Sequence, residues 1–176
     1  MNLINNDILR RVRYIFDYND RKMMAIFALA DQTVSRQELS AWLKKEDDPD
    51  FQECSGIDLG NFLDGLITEK RGKKEGTDTR PKPESHLSNN VILKKLQIAL
   101  NFKAEDMLTV MELADFVLSK HELSALFRKP GHKNYRVCQE QILRYFLQGL
   151  QRKYRGKDDA KSPFKWEVVP GGGDKK

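Results

Sequence analysis

The chain has few of the features that mark secreted, disulfide-stabilised or membrane proteins. Its 176 residues include two cysteines and no run of about 18 apolar residues, the length that a membrane-spanning helix needs. The first residues, MNLINND, carry neither the basic segment nor the apolar stretch of a secretory signal. We therefore expect a cytoplasmic protein without a membrane partner, in which Cys54 and Cys138 stay reduced and fill matching core sites.

Motifs of catalysis and of metal binding are also missing. The sequence contains no G-x-x-x-x-G-K-S/T, G-x-G-x-x-G or G-x-S-x-G pattern. His121 and Glu122 begin the H-E-x-x-H zinc motif, but its second histidine is absent. His132 and Cys138 lack further ligands nearby, and the acidic loop 46–50 lacks the D-x-D-x-D-G frame of calcium loops. We expect no enzymatic activity, no metal ion and no cofactor.

What the chain contains instead is an internal duplication. A shift of 84 positions aligns residues 5–72 with residues 89–156 without a gap, and 22 of the 68 aligned pairs are identical. The identical pairs include the frame S-x-x-E-L-S-A, which begins at Ser35 and again at Ser119. Apolar residues recur at helical spacing in both copies. The sequence therefore predicts an all-α fold, a tandem duplication of a roughly 70-residue four-helix unit packed as pseudo-symmetric halves.

The predicted division of the chain follows from the repeat and from the polar segments beside it. Residues 73–88 contain no apolar side chain before Leu87, which is typical of an exposed linker. Residues after Gly156 are rich in lysine and glycine, although Phe164 and Trp166 would suit a short docking segment. We predict a first helical repeat at 1–72, a linker at 73–88, a second helical repeat at 89–156 and a flexible basic tail at 157–176.

Each unit is predicted to begin with an amphipathic helix. Asn5 and Asn6, and their copies 84 residues later, suit an N-cap because asparagine accepts the free amides of a first turn. The cations of this helix are expected on its outer, solvated face: Arg10, Arg11 and Arg13. The next helix, at about 20–31, is apolar on nearly every side and is expected in the middle of its unit.

Serine, glutamate and glycine positions that recur in both copies predict local structure. The third helix carries a capping box, in which an N-cap serine and a glutamate three residues later satisfy each other's backbone amides. The cap residues are Ser35, Glu38, Ser119 and Glu122. The fourth helix keeps Gly65 and its copy Gly149, although a mid-helix glycine costs about 1 kcal/mol relative to alanine. We expect another helix to approach closely at each glycine.

An aspartate ends the second helix in both copies, at Asp31 and Asp115. A carboxylate at this end of a helix opposes the helix dipole, so its recurrence needs a reason. Either each carboxylate accepts hydrogen bonds from amides of the following turn, or the two aspartates are a repeated polar contact for a ligand.

Net charge differs between the two copies. Residues 5–72 hold 10 basic and 13 acidic side chains, whereas residues 89–156 hold 12 and 6. The loops 46–50 and 130–134 diverge most, as EDDPD against PGHKN. This asymmetry favours either self-association through oppositely charged repeats or an acidic partner of the second repeat.

Two basic surfaces are candidate binding sites, and both are also typical of ordinary solvated faces. The second and third helices of each unit resemble a helix-turn-helix. Its outer face would carry Arg36, Gln37 and Lys44 in the first copy and Lys120, His121 and Arg128 in the second. The end of the second repeat combines cations with a tyrosine, which suits phosphates and stacked bases. These residues are Arg144, Arg152, Lys153, Tyr154 and Arg155.

Three motifs that recur in tandem carry a family resemblance: N-N-x-I-L, S-x-x-E-L-S-A and F-L-x-G-L. Over about residues 1–156 the chain resembles the YehS-like family of small bacterial proteins. The duplicated domain of that family is one of unknown function, so the resemblance implies no activity, cofactor or catalytic residue. It implies a bacterial, cytosolic protein.

The leading interpretation is a non-enzymatic helical interaction module that binds another protein through the third helices and the divergent loops. The alternative is a nucleic-acid-binding regulatory protein that uses the basic second repeat. The two hypotheses differ in salt dependence, because neutralised phosphates release counterions and retention on nucleic acid then falls steeply with salt.

Overall fold

The computed structural model of the chain describes residues 2–73, 87–157, 159 and 161–164. These residues form eight α-helices and no strand, so the predicted all-α architecture of two four-helix units is confirmed. The first unit comprises α1 (Asn5–Ile15), α2 (Asp20–Leu29), α3 (Arg36–Leu43) and α4 (Gly56–Arg71). The second comprises α5 (Asn89–Leu100), α6 (Ala104–Leu113), α7 (Lys120–Leu126) and α8 (Glu140–Arg155). Most of the predicted linker and tail lies outside the described residues.

The two units share one hydrophobic core. Within each unit the longest helix, α4 or α8, packs against the second helix, α2 or α6. Between the units α4 packs against α5, and α1 packs against α8. These two contacts are equivalent under the repeat, because α1 corresponds to α5 and α4 to α8. Four helices therefore hold the halves together, and buried residues of both halves form one cluster.

The second helix of each unit is less central than its composition predicts. Met23, Ile26 and Phe27 of α2 are buried, but Ala25 and Ala28 are exposed. Alanine is apolar but small, so its presence makes the sequence of this helix apolar on nearly every side although not every side is buried in the core. The expected central position belongs instead to α4 and α8, which contact both the second helix and the other unit.

The predicted close approach at Gly65 and Gly149 is confirmed. A Cβ atom built on Gly65 would lie 1.9 Å from the carbonyl oxygen of Ile26 in α2. A Cβ atom on Gly149 would lie at the same 1.9 Å from the carbonyl oxygen of Val110 in α6. Each glycine thus lets two helix backbones meet at a distance that no side chain allows.

The prediction that Asn5 and Asn6 cap α1 is wrong. Both residues lie inside the helix, where the capping position belongs to Ile4. Asn6 is fully buried and its amide donates to the carbonyl oxygens of Trp42 (2.9 Å) and Gln52 (2.8 Å). Its Oδ1 accepts from the Cys54 amide at 3.0 Å. Asn6 therefore ties α1 to the end of α3 and to the loop before α4.

Asn90 makes the same three hydrogen bonds in the second unit. Its amide donates to the carbonyl oxygens of Leu126 (2.9 Å) and Arg136 (2.8 Å), and its Oδ1 accepts from Cys138 at 2.9 Å. The cap of α5 is Ser88, which precedes the repeat alignment. Asparagine therefore recurs at positions 6 and 90 because its side chain pairs buried backbone groups. Each such group would cost about 1–3 kcal/mol if it were left unpaired.

The expectation of a solvated basic face on α1 is also wrong. Arg10, Arg11 and Arg13 are all half-buried, and α8 packs against α1. Burial lowers the pKa of Arg11 to about 10, which leaves the guanidinium protonated at neutral pH. Arg10 donates to the carbonyl oxygen of Lys44 at 2.9 Å.

None of the described helices combines the length and the hydropathy needed to cross a bilayer.

Candidate functional site

The capping boxes are present at both predicted positions. The Ser35 hydroxyl accepts from the Glu38 amide at 3.1 Å, and the Glu38 carboxylate accepts from the Ser35 amide at 2.9 Å. Ser119 and Glu122 repeat this pair at 3.1 and 2.8 Å. The hydrogen bond from the Ser119 backbone amide is the main reason why the pKa of Glu122 is lowered. These four residues are structural, since their polar atoms are used at the helix start.

The predicted recognition face of the third helices is discontinuous. Arg36 and Gln37 are exposed in the first turn of α3, and Lys120 and His121 occupy the same places in α7. Lys44 follows the last residue of α3. Arg128 likewise lies beyond the end of α7, which has seven residues. The candidate side chains therefore lie at opposite ends of each short helix.

The predicted basic cluster on α8 is divided among internal contacts. Arg144 pairs with Glu140 of the same helix at 2.7 Å. Arg152 lies 3.2 Å from the Asp115 carboxylate and donates to the carbonyl oxygen of Leu113. Arg155 stacks on the Tyr14 ring at 4.4 Å and lies 3.7 Å from Asp17. Lys153 and Tyr154 are exposed, with the Tyr154 ring against Phe16.

The repeated aspartates are explained by backbone conformation. Asp31 and Asp115 follow the C-caps of α2 and α6 with φ of 57° and 58°. This left-handed region is rare for most residues and tolerated by aspartate and asparagine. The Asp31 amide donates to the carbonyl oxygen of Ala28, and the Asp115 amide to that of Glu112. A position that ends a helix in this conformation accounts for the recurrence without a ligand.

An exposed apolar surface on the second repeat was missed by the sequence reasoning. We call it the apolar patch, and it consists of the exposed Val117 and Val137 with the half-buried Phe116, Ile142 and Tyr145. Val117 is 81% exposed and Val137 is 63% exposed. Phe116 and Tyr145 stack with centroids 4.6 Å apart and planes 12° from parallel. This stack joins the loop after α6 to the first half of α8.

The first repeat is polar at all five equivalent positions, Gln32, Thr33, Glu53, Asp58 and Asn61. Gln32 donates to Asp58 at 2.8 Å and accepts from Asn61 at 2.9 Å. Hydrogen bonds in one repeat thus replace the aromatic stack of the other. Pairwise comparison of the aligned repeats gives this difference directly, and it was the signal that could have found the patch.

Two exposed cations, Lys133 and Arg136, stand close to Val137 in the chain. Arg136 directly precedes Val137, and its charge contributes to the lowered pKa of Glu122, after the hydrogen bonds from Ser119. Lys133 stands in the exposed loop before it, where the first repeat has Pro49 in the acidic loop 46–50. The chain beside Val137 therefore carries positive charge.

A polar cleft of about 640 Å³ lies where the ends of α4, α5 and α8 converge. Its lining includes Tyr18, Lys70, Arg71 and Tyr154. The Lys70 ammonium lies 4.0 Å from the centroid of Phe16, and burial lowers its pKa. Aromatic rings thus hold this cation by cation–π attraction.

Cysteine and histidine do not meet in a metal-binding arrangement. Among the described residues, no group of three or more His, Cys, Asp and Glu side chains is placed to hold a metal ion. Burial raises the pKa values of Cys54 and Cys138 to about 12, so both thiols are protonated at neutral pH. His132 Nδ1 accepts from the Asn134 amide at 3.0 Å within its own loop.

Comparison with known proteins matches the duplicated architecture. The family described as "Protein of unknown function (DUF1456)" matches residues 5–72 and again residues 89–156. The protein of Escherichia coli (strain K12) named "Uncharacterized protein YehS" is 45% identical over 148 residues, which are 84% of this chain and 94% of that protein. No solved structure gives a significant match.

Proposed function

The chain belongs to the DUF1456 family of proteins of unknown function, and from that premise we propose that it is a non-enzymatic module that binds another protein. The binding surface is the apolar patch of the second repeat. The partner is a protein segment that offers apolar side chains flanked by carboxylates. The patch supplies the affinity through burial, and the cations Lys133 and Arg136 near Val137 supply the orientation.

One observation carries the proposal, the exposure of Val117 and Val137 at positions where the first repeat has Thr33 and Glu53. Both repeats bury equivalent core positions and share the capping box of the third helix, so folding alone does not require valine at these sites. Val117 directly follows Phe116 of the aromatic stack, and exposed apolar side chains beside such a stack are typical of interaction surfaces. The patch uses the loops beside the third helix, which is where the repeats diverge.

Charge around the patch favours an acidic partner. The loop 130–134 carries one lysine, whereas the equivalent loop 46–50 carries four acidic residues. Like charges across an interface disfavour binding, and opposite charges raise the association rate. An acidic segment is therefore attracted to the second repeat and repelled by the first.

The test is a comparison of captured proteins between the full chain and a patch variant. Val117→Thr with Val137→Glu converts the two exposed valines to their first-repeat equivalents. We expect the partner to be captured by the native chain and lost with this variant. Ile57→Gln is the matched control, because Ile57 is 46% exposed on the first repeat and glutamine is its second-repeat equivalent. Nuclease treatment runs in parallel.

Three outcomes contradict the proposal. A capture that is equal for the patch variant and the native chain removes the patch as the binding surface. A capture that disappears with nuclease supports the nucleic-acid alternative through residues such as Lys120 and Lys153. Recovery of a second copy of the chain alone supports self-association between the oppositely charged repeats.

A further inference from the structure

The groove between α1 and α8 is filled by residues that follow the second repeat. The Asp159 carboxylate accepts a hydrogen bond from the Tyr14 hydroxyl and lies 4.0 Å from Arg155 Nε. Its side chain is 12% exposed. A carboxylate removed this far from water needs a cation and a donor beside it. Arg155 and Tyr14 provide them.

An aromatic ring occupies the same groove beside the carboxylate. The Phe164 ring packs edge-to-face on Tyr14, with centroids 5.6 Å apart and planes at 82°. The Arg11 guanidinium lies 5.0 Å from the Phe164 centroid. Between the two contacts, Gln151 donates to the Ser162 hydroxyl at 2.8 Å. The groove thus binds one carboxylate and one aromatic ring five residues apart.

The groove and its occupant belong to different parts of the chain. Arg11 and Tyr14 lie in the first family-matched unit and Gln151 and Arg155 in the second, whereas the occupant follows residue 156, where the match ends. Recognition chemistry for a peptide is therefore built into the duplicated domain itself. The occupant is a separate, appended segment.

The pseudo-equivalent groove between α4 and α5 lacks this chemistry. Lys95 replaces Arg11 and pairs with Asp64 of α4. Ile98 replaces Tyr14 and is 40% exposed, and Ile67 replaces Gln151. The hydroxyl, the aromatic ring and the amide that hold the appended segment are thus confined to the α1/α8 groove.

We propose that the α1/α8 groove is a binding site for a peptide segment of another protein that presents a carboxylate and, five residues later, an aromatic ring. Asp159, Ser162 and Phe164 occupy this site in cis and compete with that segment. The site is distinct from the apolar patch, which involves the first half of α8. Binding of the external segment requires release of the chain's own residues, so the apparent affinity equals the intrinsic affinity multiplied by the fraction of molecules whose groove is open.

Fluorescence anisotropy with a labelled synthetic peptide of residues 157–164, KDDAKSPF, tests the site in the full chain. Asp159→Asn with Phe164→Ala removes both anchors of the cis occupant. We expect this variant to bind the peptide about tenfold more tightly than the native chain, because a tethered competitor acts at millimolar effective concentration. A peptide with the same two substitutions should not bind. The chain with Lys161→Ala is the matched control, because Lys161 lies in the same segment and its side chain is exposed. This variant should bind the native peptide as weakly as the native chain does.

A second variant distinguishes binding in the groove from nonspecific binding of the peptide. Arg155→Glu, added to the double variant, should abolish the gain while circular dichroism shows unchanged helicity. The proposal is overturned if the double variant binds no better than the native chain, or if the substituted peptide binds equally well. It is also overturned if the native chain dimerises and the double variant does not, because the occupant then comes from a second copy.

Discussion

Asn6 and Asn90 are the buried residues on which each unit depends most at the scale of single side chains. Each satisfies one carbonyl oxygen at the end of the third helix, and one carbonyl oxygen and one amide in the loop before the fourth helix. Asn6→Ala leaves these three backbone groups without their partner, and we expect a loss of about 3 kcal/mol in the free energy of unfolding. Asn90→Ala should cost a similar amount. Urea unfolding followed by circular dichroism measures both.

Asn5→Ala is the control for this prediction. Asn5 is half-buried and its side chain makes one hydrogen bond, to the carbonyl oxygen of Cys54 at 3.0 Å. We expect a loss of about 1 kcal/mol. Equal losses for Asn5→Ala and Asn6→Ala would contradict a special role for the buried asparagine.

The two buried thiols predict a pH dependence of stability. Burial raises the pKa of Cys54 and of Cys138 to about 12 in the folded chain, against about 8.5 for an exposed thiol. The unfolded chain therefore releases these protons first, so stability is constant at low pH and falls as pH rises from the lower value towards the higher. Between pH 8 and pH 10 we expect a loss of about 2 kcal/mol per thiol.

The variant Cys54→Ala with Cys138→Ala isolates this contribution. The comparison uses the change between the two pH values, because truncation of buried side chains also lowers stability at every pH. The double variant should lose about 4 kcal/mol less than the native chain over this range. An identical loss in both proteins would place the alkaline sensitivity elsewhere, for example at Tyr18, whose pKa is also raised to about 12, chiefly by burial.

At the scale of helices, contact between backbones decides which glycines are replaceable. Gly65→Ala places a Cβ 1.9 Å from the Ile26 carbonyl oxygen, so α2 and α4 must separate. We expect a loss of about 2–3 kcal/mol. Gly60→Ala in the same helix is the control, because the nearest atom to its Cβ is Leu87 Cδ1 at 3.9 Å. Alanine there should stabilise α4 by up to about 1 kcal/mol.

Thermal and urea unfolding of the two variants check the prediction. If Gly65→Ala were no less stable than Gly60→Ala, the close α2/α4 contact would be absent in solution.

Helix positions and close contacts could be predicted from the sequence because the residues that indicate them occur in both repeats. A glycine kept in two copies, as at Gly65, carries a packing constraint that one copy would not prove. The face of α1 was predicted wrongly, since helical periodicity does not tell which other helix covers Arg11. The α1/α8 contact joins residues about 130 or more apart in the chain, and no local pattern encodes it.

Only part of the candidate binding site could be predicted from the sequence. Sequence reasoning selected charged residues such as Arg152 and Arg155, and the fold uses both in internal contacts. It passed over Val117 because a single apolar residue in a loop has no periodic pattern. Its significance comes from the polar residue at the equivalent position, Thr33, and from the Phe116–Tyr145 stack beside it.

For the whole molecule, the arrangement of α1, α4, α5 and α8 predicts that the two halves unfold together. Each unit of about 70 residues is near the lower limit for an independent core, and the contact between halves uses the longest helices. Trp42 is 7% exposed in the first repeat and reports on its packing. With Trp166→Phe as the background, fluorescence follows Trp42 alone.

Gly149→Ala disrupts the second repeat, where a Cβ would lie 1.9 Å from the Val110 carbonyl oxygen. In the Trp166→Phe background, this substitution should lower the urea midpoint of Trp42 fluorescence as much as the midpoint of far-UV circular dichroism. Coupling through the shared core is the reason, because loss of α8 packing removes the surface on which α1 lies. A Trp42 transition that stays at its original midpoint while half of the helical signal is lost earlier would mean that the repeats fold independently.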